Sequence, residues 1–364
     1  MYTNPVEVIK TNNWEESCKI SQQKYRIQNP IVITSRGVLE RQNLSSIFRL
    51  ESIHSDISPD PTFESCQKAI DLLSESKYDG IIAIGGGSVM DTAKAVMAAI
   101  GTNITNLNEL LVYKNKYDII MPSIFIPTTH GTGSEVTKWG TIWNKKENRK
   151  YSISHDSLYP SVAILDGNLT LTLPLDISII TSMDALSHSF EAIWNKNKND
   201  KSTEYAISAI CSIIKNIYSL KLNPLDLSIR NKLLEASNIA GLAFSNTKTA
   251  AAHSISYPLT LNYNIPHGIA SSISLAPLLK INKGEIIYEI KEILFNLKLS
   301  TINELITTIK NIPKDIIEFK LRSWGVNKKE IPSLVKQSFT KERMDNNIVK
   351  ILESDVEKIL YEIY

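Results

Sequence analysis

The chain has 364 residues, 43% of them hydrophobic and 21% charged, with 40 Lys+Arg against 38 Asp+Glu for a formal charge of +2. That length exceeds what one compact core sustains, so two domains are expected, and so even a balance excludes partners recognised through net charge, nucleic acid and anionic membranes among them. Three scattered cysteines, Cys18, Cys66 and Cys211, exclude a disulfide framework and a CxxC zinc ribbon; with no apolar signal core in MYTNPVEVIKTNNWEE and no run of ~20 apolar residues, the expected location is the cytoplasm.

In chain order, the first ~170 residues alternate short β-rich runs with helical patterns, the mark of a mostly parallel sheet wrapped by helices. Pro30–Thr34 is strand-like, Pro61–Ser76 has helical spacing, Gly80–Ile84 is a buried strand, and a helix follows from Ser88 to about Ile100. Ser123–Ile126 and Val162–Leu165 are further strands, each ending in turn chemistry. From Asp176 onward apolar residues recur at i, i+3, i+4 and period-2 alternation fades, which predicts an all-helical half. The expected division is residues 1–170, an α/β nucleotide-binding domain, and 171–364, a helical metal-binding and substrate domain. Asn195–Lys201 reads as an exposed loop between helices.

Three segments carry chemistry. Gly85-Gly86-Gly87-Ser88-Val89-Met90-Asp91 follows a strand and opens a helix, so backbone N–H groups and the helix dipole offer a seat for a diphosphate. Met90 replaces the third glycine of GxGxxG, so this is not the dinucleotide fingerprint. Pro127-Thr128-Thr129-His130-Gly131-Thr132-Gly133-Ser134-Glu135 is a second hydroxyl-rich loop after a strand, and two such loops would share one crevice; His130 by itself reads as a loop histidine. In the helical half, Asp184 and His188 stand four apart on one helix face, and His253 and His267 follow. One carboxylate and three imidazoles suit a borderline ion, Fe²⁺ or Zn²⁺, better than Ca²⁺ or Mg²⁺.

These pieces in this order resemble the iron-containing (group III) alcohol dehydrogenase family: GGGSVMDTAK at 85–94, PTTHGTGSEVT at 127–137, MDALSHSFE at 183–191, AGLAFSN at 240–246, then His253 and Pro266-His267-Gly268. The resemblance covers nearly the whole chain and implies a dehydroquinate synthase-like architecture. It implies metal ligands Asp184, His188, His253 and His267. For the nicotinamide cofactor, NADPH or NADH, it implies contacts at Gly86, Gly87 and Ser88, with Asp91 nearby, and at Thr128, Thr129, Thr137 and Lys150. It also implies a homodimer, since dimers are common in this family.

Departures from the family pattern are informative. Many members have a second histidine four residues after the third ligand, where this chain has Tyr257. NAD-preferring members often end the first strand with an acidic residue; here the stretch is Thr34-Ser35-Arg36-Gly37, which removes repulsion against a 2′-phosphate and offers Ser35 and Arg36 as contacts, favouring NADPH. Lys248 stands one turn before His253. At a helix start it would hold an anionic head group, and with the run AGLAFSNTKTAAAHSISYPLTL and Ile193–Asn197 it resembles the hydroxyethylphosphonate dehydrogenase (phosphonoacetaldehyde reductase) branch. Lys198 and Lys201 are expected to be solvated. The expected reaction is reversible hydride transfer between NAD(P)H and phosphonoacetaldehyde in the domain cleft, with the ion as Lewis acid and Lys248 and Tyr257 beside the substrate; the final proton comes from bound water, the ribose hydroxyls or Tyr257. The alternatives are a generic short-chain alcohol or polyol dehydrogenase, a dehydroquinate synthase-like lyase, and a non-catalytic binding protein.

Overall fold

The structure is a computed structural model that describes residues 2–364 apart from 75–76, 114–116, 118–119, 145, 148 and 341–342. Its Cα atoms cluster into two compact units: 4–129 with 134–173, and 130–133 with 174–364 joined by the first three residues.

The first unit holds β1 (Glu7–Lys10), α1 (Trp14–Tyr25), β2 (Pro30–Thr34), α2 (Arg36–Arg41), β3 (Ile53–His54), α3 (Phe63–Asp71), β4 (Gly80–Gly85), α4 (Gly87–Thr102), α5 (Leu107–Val112), β5 (Ser123–Pro127), β6 (Trp139–Asn144), β7 (Arg149–Ser154) and β8 (Val162–Leu165). Six strands form a parallel sheet in the order β1-β8-β5-β4-β2-β3, in the register Thr34↔Ile84 and Gly85↔Pro127. Alternate residues feed two cores. Ile31, Ile33, Ile81, Ala83 and Phe125 pack with α3 and α4, while Val32, Ile82, Ile84, Ile124 and Ile126 pack with Trp14 and Cys18 of α1. Burial on both faces explains why PIVIT and GIIAI are continuous apolar runs rather than alternating ones. The expected fold class, a parallel α/β half and a helical half, is what the chain adopts.

The antiparallel hairpin of β6 and β7 and the short strands β1 and β3 escaped the sequence reading. The helical pattern over Pro61–Ser76 narrows to α3 followed by a 3₁₀ turn to Ser74, with 75 and 76 outside the described residues. None of the described helices is long and apolar enough to cross a membrane.

The second unit holds α6 (Leu175–Ile193), α7 (Asp200–Leu222), α8 (Leu227–Thr247), α9 (Ala251–Tyr263), α10 (His267–Ser272), α11 (Leu275–Asn282), α12 (Ile287–Leu297), α13 (Ile302–Asn311), α14 (Ile331–Gln337) and α15 (Glu353–Glu362). From Ser182 to Ile193 every residue of α6 is buried, polar ones included. Three expectations are corrected here. The 195–201 loop ends at Asn199, whose side chain caps α7. Asn195 is buried and donates to Lys248 O at 3.1 Å. Lys198 is not solvated: it pairs with Glu289 at 2.5 Å with both side chains mostly covered.

Candidate metal centre and nucleotide loops

The helical unit brings four sequence-predicted residues together from three helices. Asp184 and His188 project from the same face of α6, with His188 Nδ1 3.8 Å from Asp184 Oδ2. His253, in the first turn of α9, places Nε2 3.6 Å from Asp184 Oδ1, and His267, opening α10, places Nε2 3.8 Å from the same oxygen. Asp184, His188 and His253 offer donor atoms all within 4.8 Å of one another. Two ligands at the usual distance from a tetrahedral ion lie about 3.4 Å apart, so the gaps of 3.6 and 3.8 Å need only a slight contraction. The donor chemistry and the spacing both fit a divalent ion. Three of the donors are buried, and His267, with 26% of its side chain exposed, forms the open edge.

Packing and outer hydrogen bonds hold this arrangement. His188 stacks between Phe244 and His253, with ring centroids 4.1 and 4.5 Å away. Ser271 Oγ donates to Asp184 Oδ1 at 2.7 Å. Gly268 lets α10 approach α6: a Cβ there would lie 2.2 Å from Ile180 O.

Glu191, which sequence reasoning quoted within a motif but did not single out, is fully buried and grips His253 twice. It accepts from the His253 backbone N–H at 3.0 Å and from ring Nδ1. With Nδ1 committed to Glu191, Nε2 is the nitrogen left to face Asp184, and on losing its proton it is the one that would bind an ion. Helical spacing held the signal: Glu191 is three residues after His188 and seven after Asp184, on the same face. Burial opposes ionisation of Asp184, but the imidazoles of His188, His267 and His253 outweigh it and keep the carboxyl well below the usual range. Burial likewise opposes protonation of His253, and the Glu191 and Asp184 carboxylates override it, pushing that imidazole up to about 9.

Tyr257 is buried one turn after His253, and burial pushes its phenol up to about 12. The guanidinium of Arg343 lies over its ring, 4.9 Å from the centroid. Lys248 departs from the expectation that it opens a helix: it is the C-cap of α8, three residues before α9, at φ 66 and ψ 176.

In the α/β unit, Gly86, Gly87 and Ser88 lie at the N-terminus of α4, Thr128 and Thr129 follow β5, and Ser35 follows β2. All three loops leave the carboxyl ends of neighbouring strands, where open parallel sheets bind ligands. Gly86 is the N-cap of α4 and no side chain caps it among the described residues, so the first-turn amides suit a diphosphate. A Cβ on Gly85 would meet Val89 Cγ2 at 2.5 Å, so Gly85 serves the close strand-to-helix approach that the third glycine serves in GxGxxG.

Other predicted contacts face inward. Asp91 accepts from Ser134 Oγ at 2.8 Å and Thr141 N at 3.0 Å. Thr137 Oγ1 accepts from Lys94 Nζ, which also reaches Ser134 O, Ser134 Oγ and Trp139 O, all at 2.7–2.9 Å. Lys94, absent from the sequence candidates, thus ties the Thr128–Thr137 loop to α4, and burial pulls its ammonium down to about 8. Lys150 Nζ lies 4.9 Å from the Trp143 ring centroid. Ser35 caps α2, accepting from Val38 N at 3.4 Å, and Arg36 pairs with Asp56 at 3.2 Å on the surface. His130 belongs to the helical unit and is fully buried, with neither ring nitrogen hydrogen-bonded among the described residues.

The chain is 34% identical over 225 residues to long-chain-alcohol dehydrogenase 1 of Geobacillus thermodenitrificans, covering 61% of this chain and 56% of that protein. It is 35% identical over 247 residues to the probable alcohol dehydrogenase EutG of Escherichia coli, covering 66% and 62%. It therefore spans less than two thirds of the length of these curated relatives. Its structure is similar to that of sulfoacetaldehyde reductase from Bifidobacterium kashiwanohense in complex with NAD⁺, at a TM-score of 0.92 and 26% identity over 100% of this chain and 98% of that one. Residues 6–167 match the iron-containing alcohol dehydrogenase family and residues 178–364 match the Fe-containing alcohol dehydrogenase family, C-terminal. With both halves matched, the chain belongs to the iron-containing alcohol dehydrogenase family.

Proposed function

We propose that this protein is a metal-dependent NAD(P)H oxidoreductase that reduces phosphonoacetaldehyde to 2-hydroxyethylphosphonate. Asp184, His188, His253 and His267 would hold Fe²⁺ or Zn²⁺. Gly86, Gly87, Ser88, Thr128 and Thr129 would seat the cofactor, with Thr137, Asp91 and Lys150 supporting them and Ser35 at the ribose. Bound there, the ion supplies Lewis acidity to the carbonyl oxygen and the nicotinamide supplies hydride. The chain's part is to orient. Glu191 holds His253 by its Nδ1 edge, Lys94 braces the hydroxyl loop, and the alkoxide would take its proton from bound water, the ribose hydroxyls or Tyr257, whose phenol burial keeps protonated at neutral pH.

The observation that carries the substrate is Lys248. Its backbone, at φ 66 and ψ 176, lies in a region that is essentially glycine-only and costs a side-chain-bearing residue about 1–3 kcal/mol. Thr247 Oγ1 and Asn195 Nδ2 hold its carbonyl at 3.0 and 3.1 Å. Strain accepted at a lysine where glycine is easier supports a role for its ammonium, and an exposed cation at the turn into α9 suits an aldehyde bearing a tetrahedral anion. The sulfoacetaldehyde reductase neighbour supports a two-carbon aldehyde of that shape.

Lys248→Gly is the test. The melting temperature is expected to rise by about 2–6 °C as strain is relieved, while kcat/KM for phosphonoacetaldehyde falls at least tenfold. Undiminished phosphonoacetaldehyde turnover would sink the anionic-substrate reading. A second reading, a generic short-chain alcohol or polyol dehydrogenase, is favoured by the alcohol dehydrogenase relatives. It predicts that propanol or glycerol oxidation outpaces the phosphonate reaction in side-by-side assays.

A further inference from the structure

The segment after α14 brings a second cation to the metal helices. Residues 194–198, 247–249 and 343–348 are laced together. Asn346 Nδ2 donates to Thr249 O at 2.9 Å, Lys196 N to Asn346 O at 2.8 Å, Ile348 N to Trp194 O at 2.8 Å, and Asn195 Nδ2 to Lys248 O at 3.1 Å. This lacing fixes Arg343, half-buried, with its guanidinium 4.9 Å from the centre of the Tyr257 ring.

Tyr257 is one helical turn beyond His253 on α9, on the same face. The ring therefore stands between the turn that bears His253 and the Arg343 guanidinium. A neutral phenol is a good platform for a guanidinium, whereas a protonatable imidazole at that position would repel it. The lysine that bears on substrate is one residue from Thr249, which Asn346 holds.

We propose that Arg343 is a specificity-determining residue, which with Lys248 clamps the tetrahedral anion of a short aldehyde while Tyr257 holds the guanidinium in place. This rests on the reading of the substrate as an anionic aldehyde. A planar guanidinium offers two parallel donors to a tetrahedral oxoanion, which an ammonium does not. The clamp acts on the non-reacting end of the substrate and so bears on discrimination between aldehydes.

The experiment measures kcat/KM for phosphonoacetaldehyde and for propanal with NAD(P)H in the metal-loaded full chain, as wild type, Arg343→Met and Arg343→Lys. Wild type is expected to favour the phosphonate. Arg343→Met is expected to lower the phosphonate-to-propanal ratio about 100-fold, the loss of two charge-assisted hydrogen bonds, chiefly through KM. Arg343→Lys is expected to recover part of it. Raising ionic strength should raise the phosphonate KM of wild type more than that of Arg343→Met. If wild type shows no preference for the anionic aldehyde, the substrate reading itself falls. If wild type shows the preference and Arg343→Met keeps it, the Arg343 assignment falls and the reading stands. Equal loss on both aldehydes in both variants would assign Arg343 to the scaffold and overturn the proposal.

Discussion

Glu191→Gln isolates the influence of a buried carboxylate on the metal-facing nitrogen of His253. In the native chain Glu191 accepts from the His253 backbone N–H at 3.0 Å and from ring Nδ1, and Nε2 is 3.6 Å from Asp184 Oδ1. Glutamine keeps the shape but has one acceptor oxygen and one NH₂ group. If its oxygen keeps the backbone bond, its NH₂ faces Nδ1 and favours the tautomer whose proton occupies Nε2. If its oxygen keeps the ring, the backbone N–H loses its acceptor in a fully buried place. Either outcome costs about 1–3 kcal/mol, roughly 5- to 150-fold in affinity, which overlaps the 10- to 100-fold typical of such outer contacts. The assay is Zn²⁺ competition against a chromophoric chelator at fixed pH, with Fe²⁺ in parallel. Binding within twofold of the native chain would refute the argument that Glu191 sets the tautomer.

Gly268→Ala would put a methyl group 2.2 Å from Ile180 O, forcing α10 and His267 away from α6; an overpacking loss of about 1–3 kcal/mol and reduced metal content are expected, and a native melting curve with full metal would contradict this. His130 is held by burial, with a smaller push from Arg230, down to about 3, so the unfolded chain takes up a proton near pH 6.5 that the folded chain refuses. Stability from this group is present at pH 7 and is lost as pH falls from about 6.5 toward 3, amounting to about 4 kcal/mol. Urea titrations across that range should therefore show a steeper acid loss in the native chain than in His130→Leu, and parallel losses would show that His130 does not remain neutral in the fold.

Much of the fold was legible because the parallel strands are buried on both faces. PIVIT and VAIL are the observed strands to the residue, and GIIAI falls one residue short. The hairpin of β6 and β7 was not, because WGTIWN is half-exposed and carries no strong period. Asp184, His188, His253 and His267 were legible as chemistry, since each is a titratable residue in an apolar helical context. What joined them was not: Glu191 differs from an ordinary helix glutamate only by its burial, Lys94 by four acceptors contributed from positions 134–139, and Arg343 by a contact far along the chain. Lys248 was noticed for its charge, but the backbone strain that gives it weight belongs to the folded state alone.

The four donors come from α6, α9 and α10, with α7 and α8 lying between them in the chain. An ion held by all four would staple the ends of that long excursion, so that its affinity is also cohesion for the helical half. By mass action an ion at a thousandfold excess over its dissociation constant contributes about 4 kcal/mol to the folded state alone. A chelator would then do more than remove a Lewis acid: it would unpin the three helices that carry the donors.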